Sequence, residues 1–201
     1  MPRTYEELNQ ERTAAHSAIF GRLFDLGKQA KEIPGPQLSD TVRQSLTPQQ
    51  ISAMRARSGE EFAQNRAAEE KALFEQVEEE YQEGLAARRE EIMDALFGGA
   101  QEQDASTMLR YASASESQLR AALEMAQSAE NHEVLQMVTL AAYERDMGAV
   151  LDRVHDLIPE TGDLLGELAA IEMRIEDLDD ADTLWETLAP EIPDAQKILT
   201  R

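Results

Sequence analysis

The chain has 201 residues, with 40 Asp+Glu against 19 Lys+Arg, a formal charge of −21 and no Cys. That balance excludes general capture of a nucleic-acid backbone, which needs a clustered basic surface, and attraction to an anionic membrane leaflet. The absence of Cys excludes a disulfide framework, thiolate metal sites and Cys nucleophiles.

Apolar residues make up 42% of the chain but aromatic ones only 5%. Much of the apolar content is therefore Ala and Leu, which suit closely packed helices better than β-layers. No Asn-Gly or Asp-Gly hairpin signal interrupts the sequence. The first residues lack the apolar stretch of a signal peptide, and the longest uncharged apolar run, Val134–Tyr143, is far short of a membrane span. These features indicate a soluble all-α protein, cytoplasmic at synthesis.

The first helix is expected from about Thr4 to Lys31, opened by the capping pair Thr4 and Glu7 and carrying Leu8, Ala15, Ile19, Leu23 and Leu26 at helical spacing. Ile33-Pro34-Gly35-Pro36 stops it. That segment reads either as an elbow between docking elements or as a plain helix–helix connection. A short helix over Ser39–Leu46 precedes the best start signal in the chain, Thr47-Pro48-Gln49-Gln50. Helical character then runs to Phe97, where Gly98-Gly99 supplies a stop and Ser58-Gly59 a place to split.

Val77, Tyr81, Leu85, Arg88, Ile92 and Leu96 form a narrow stripe along this long segment, while Glu69, Glu70, Glu75, Glu78 and Glu79 crowd the other faces. A core helix carries a broader apolar band, so the stripe fits a coiled coil or extended arm. One long helix lying across its own domain fits it equally.

Beyond Gly98–Asp104 the apolar faces widen. Short helices are expected at Met108–Tyr111 and from Ser115, whose capping partner is Gln118. Asn131 opens a further helix that carries apolar residues through to Ile158, ended by Pro159. Leu164, Leu168, Ile171, Ile175 and Leu178 then repeat as a heptad-like seam, followed by a short helix around Trp185 and a terminal turn from Asp194. The organisation read from this pass is a helical arm over residues 1–97, with a long helix at about 48–97, and a compact acidic helical bundle over 105–201.

Catalytic and cofactor chemistry find little support. Asp152-x-x-His155 is one loose analogue of a carboxylate-bundle metal motif, and neither His16 nor His132 adds an equivalent. The acidic run Glu176–Asp182 fits no EF-hand register, because position 6 is never Gly when position 12 is acidic. Nucleophile-elbow, P-loop and dinucleotide-binding patterns are missing. Arg88-Arg89 and Arg55-x-Arg57 sit among Glu residues, where intrahelical pairing outweighs phosphate binding. No catalytic, cofactor-binding or metal residues are assigned.

A non-enzymatic structural or assembly protein, working through helix-mediated contacts as an oligomer or part of a larger assembly, is the first functional expectation. Its contact residues would be Val77, Tyr81, Leu85 and Ile92 on the long stripe, Leu164, Leu168, Ile171 and Ile175 on the seam, and Trp185 as an aromatic anchor. In composition and two-part helical layout, though in no motif, the chain resembles some bacteriophage head-assembly or virion-associated proteins. That resemblance implies coat or portal subunits as partners and incorporation into a virion. The alternative is an acidic binding module or chaperone for a basic partner, including nucleic-acid mimicry. Charge distribution bears on it: residues 1–100 hold 12 basic and 18 acidic residues, net −6, and residues 101–201 hold 7 and 22, net −15.

Overall fold

The computed structural model describes residues 3–32, 37–101 and 105–188. Regular structure among them is entirely α-helical: α1 (Tyr5–Glu32), α2 (Asp40–Ser45), α3 (Pro48–Gln101), α4 (Ala105–Ala112), α5 (Glu116–Ser128), α6 (His132–Tyr143), α7 (Gly148–Leu157), α8 (Pro159–Glu176) and α9 (Ala181–Leu188). The all-α expectation, with one long helix and a bundle of shorter ones, holds. The stop at Ile33–Pro36 and the turn from Asp194 lie outside the described residues.

Two compact units divide the chain. One comprises Glu6–Glu83 with Leu178–Arg201, the other Met1–Tyr5 with Gly84–Asp177. The packing units thus part inside α3, whereas the sequence reading placed its division at Gly98–Asp104. Helix α3 runs unbroken through Ser58-Gly59 and through Gly98-Gly99. Neither site acts as a break, because Gly permits a left-handed cap without imposing one, and among the described residues no Gly has a positive φ.

In the hairpin unit, Glu6–Glu83 with Leu178–Arg201, α1 lies antiparallel on α3. Partner numbers on α3 fall as those on α1 rise: Asn9 meets Tyr81, Arg12 meets Glu78 and Arg22 meets Glu70. The same progression brings Ala30 against Gly59. Gly59, Ala63 and Ala67 line one row of α3 at four-residue steps and are buried. Their small size lets the helix backbones close in; a Cβ on Gly59 would stand 2.5 Å from the carbonyl oxygen of Ala30. Toward Phe74 the row turns aromatic, and α9 inserts Trp185 into a core with Ile19, Leu23, Leu26, Ala67 and Phe74. Trp185 stands edge-on to Phe74 and stacks near Phe20, with ring centroids 5.4 and 6.2 Å apart. Each fully buried large apolar side chain here contributes roughly 1.5–3 kcal/mol.

The bundle unit centres on α6. Residues Met137–Ala142 are buried all round, as befits a helix with no polar face. Helix α5 packs on α6 and α7, α6 on α7, α7 on α8, and α4 on α6, the pattern of stacked helix pairs. Leu85, Ile92, Leu96 and Phe97 of α3 are also buried, and the Phe97 ring sits 5.5 Å from that of Tyr143 on α6.

The single helix expected from Asn131 to Ile158 is in fact two. Helix α6 ends at Tyr143, Asp146 takes φ 50°, and the Met147 N–H donates back to the Ala142 carbonyl at 2.9 Å. The α5–α6 junction repeats this device, with Glu130 at φ 52° and the Asn131 N–H donating to the Ala126 carbonyl at 2.9 Å. Both are left-handed helix stops of the kind usually served by Gly. Pro159 does not end α7 so much as begin α8, at whose first turn its missing N–H costs nothing. The caps at Thr47, Ser115 and Asn131 form as expected, with reciprocal side-chain bonds at the first two: Thr47–Gln50 and Ser115–Gln118.

Two substitutions test these local arguments by urea or thermal unfolding. Gly59→Ala should destabilise by about 1–3 kcal/mol, the overpacking cost outweighing the ~1 kcal/mol gained in helix propensity. Glu130→Gly should stabilise by roughly 0.5–1 kcal/mol, since a left-handed L-residue costs ~1–2 kcal/mol and Gly returns part of that as chain entropy.

Candidate functional site

A buried polar cluster lies on the seam of the hairpin unit. Glu78 is only 1% exposed. Arg12 grips it through two bonds of 2.7 Å, Nε to Oε1 and Nη2 to Oε2, and His16 Nε2 lies 2.7 Å from Oε1. The His16 ring stacks on Phe74 at 4.6 Å, and the Arg12 guanidinium lies 4.7 Å over the Tyr81 ring. Tyr81 in turn donates its hydroxyl to Asn9 Oδ1 at 2.6 Å. Burial alone would push the Glu78 carboxyl up, yet the hydrogen bonds from His16 and Arg12 together prevail and hold it at about 2. Two turns along, Arg22 clasps the buried Glu70 with bonds of 2.8 and 2.7 Å, and that carboxylate raises the Arg22 pKa.

These contacts correct one expectation. Glu70 and Glu78 are not part of the solvated Glu face; they are buried and matched by α1. Their spacing carried the signal, since Glu70, Phe74, Glu78, Tyr81 and Leu85 continue a single helical row.

In the bundle unit, Arg88 makes bonds of 2.9 and 2.7 Å to Glu167 on α8, and Glu167 also accepts from the Tyr5 backbone N–H at 2.8 Å. The Arg88 bond and, after it, the Tyr5 bond hold the Glu167 carboxyl below its usual range, against the effect of burial. Arg89 bonds Glu172, which also accepts the Tyr143 hydroxyl. Burial, reinforced by that carboxylate, pushes Tyr143 up to about 12. The basic pair therefore reaches α8, with Arg88 also keeping an intrahelical bond to Glu91, while Arg57 pairs within its own helix with Glu61.

The nine residues expected to bind partners fall mainly inside the chain's own cores. Tyr81 and Trp185 are buried in the hairpin unit; Leu85, Ile92, Leu168 and Ile171 are buried in the bundle unit. Val77 packs partly buried against the hairpin core, and Leu164 is half-buried. Only Ile175 is substantially exposed. Within the hairpin unit, the Val77 end of the stripe packs against the core that α1 and α9 share with α3.

The remaining candidates have structural explanations. Asp180 caps α9, its carboxylate accepting from both the N–H and the hydroxyl of Thr183 at 2.9 and 2.8 Å. The backbone bond leads in holding Asp180 below its usual pKa. Asp182 binds Lys71 at 2.5 Å. His155 packs so closely on Gly162 that a Cβ there would clash with its ring. Among the described residues no group of three or more His, Asp or Glu side chains is arranged to hold a metal ion, and no helix is long and apolar enough to cross a membrane. Comparison with family models, curated proteins and solved structures gives no match for the chain.

Glu78 sets a pH test. Because its folded pKa is depressed from 4.5 to about 2, its contribution is present above pH 4.5 and is lost as pH falls through about 2. At neutral pH Glu78→Gln should cost about 3 kcal/mol, having left Arg12 without its buried partner. Urea unfolding at pH 7 and pH 3 should show the difference between wild type and variant narrowing in acid; a constant gap would contradict the assignment.

Proposed function

We propose that this chain is a non-enzymatic assembly protein that works by protein–protein contact and meets a basic partner with its acidic outer surface. One observation carries the reading: the chain turns much of its small stock of cations inward or onto its own helices. Arg12, Arg22, Arg88 and Arg89 are spent on Glu78, Glu70, Glu167 and Glu172, and Arg57, Arg66, Lys71 and Arg153 pair with carboxylates on the surface. A chain of net charge −21 that engages its bases in this way leaves an acidic exterior, which speeds encounter with a cationic surface and repels acidic competitors. The earlier expectation of docking through the long stripe gives way to contact through this exterior.

The setting proposed for that contact is bacteriophage head assembly or the virion, on the compositional likeness described above. Basic segments of other structural subunits are the partner class. The acidic surface is the common element of the assembly reading and the binding-module reading, which differ in whether the partner is held permanently.

Native mass measurement of the chain purified from its own source, with each co-purifying subunit identified, tests the proposal. The complex should then be rebuilt from purified components at about 50 and about 300 mM salt. Affinity should fall roughly tenfold or more, because screening shortens the reach of exposed charges. Salt-independent affinity, or a strict monomer without a partner at low salt, would overturn the proposal.

A further inference from the structure

We draw no further inference here: the strongest candidate, the shallow hollow on the outer face of α5 where Met125 stands exposed among Ala121, Glu124, Ser128 and Ala129, is an unpartnered apolar face, and nothing in the structure shows what covers it.

Discussion

A buried carboxylate demands compensation, and in the hairpin unit Glu78 takes it from two residues one turn apart on α1. An ionised carboxylate without partners would cost several kcal/mol in that position. Arg12 and His16 reach it together only when α1 lies in one register on α3. Apolar contacts between two Ala- and Leu-bearing helices tolerate sliding by a turn, since one small apolar side chain substitutes for another. Charged pairs do not. With Glu78 and Glu70 both engaged, Ala30 arrives at Gly59, and Phe20 and Phe74 come within 6.0 Å of each other, with Trp185 packed against both rings.

The bundle unit solves its alignment differently. Its α3 portion is tied to α8 by Arg88–Glu167 and Arg89–Glu172, pairs nearer the surface than Glu78, while α6 supplies an apolar centre buried from Met137 to Ala142. Thr139 is the one polar residue buried in α6, and it satisfies its hydroxyl on the Leu135 carbonyl a turn earlier, at 2.8 Å. Two tight stops flank α6, and its polar ties to other helices sit toward its rim, where Gln136 donates to the Ala95 carbonyl and Tyr143 donates to Glu172.

Much of this was legible in the sequence where chemistry is local. Thr47 with Gln50, Ser115 with Gln118, and Asn131 are caps whose partners lie three residues away, and each forms. The α3 stripe from Val77 to Leu96 was also readable, because periodicity reports which face is covered. It does not report what covers it: of the nine residues expected at a partner, six are buried within the chain and Ile175 is exposed. The Asp146 turn was hidden for a related reason: Asp in a left-handed stop has no signature separate from Asp on a surface. Gly98-Gly99 erred the other way, offering a freedom that α3 does not use. Glu78 was obscured by its company, one carboxylate among many, and only α1 distinguishes it.

The position of α9 bears on the order in which the molecule is made. Trp185 belongs to a core with Ile19, Leu23 and Phe74, and Lys71 is joined to Asp182 across 111 residues of sequence. Everything between Gly84 and Asp177 belongs to the other unit, so the hairpin unit is discontinuous in the chain. Contacts across so long a stretch of sequence are of the non-local kind that slows folding. During synthesis, α1 and the first part of α3 leave the ribosome with the aromatic end of their seam open. The bundle unit is translated in full before the helix that seals that seam appears. The hairpin unit therefore cannot be completed until α9 has been made, though most of its sequence comes first.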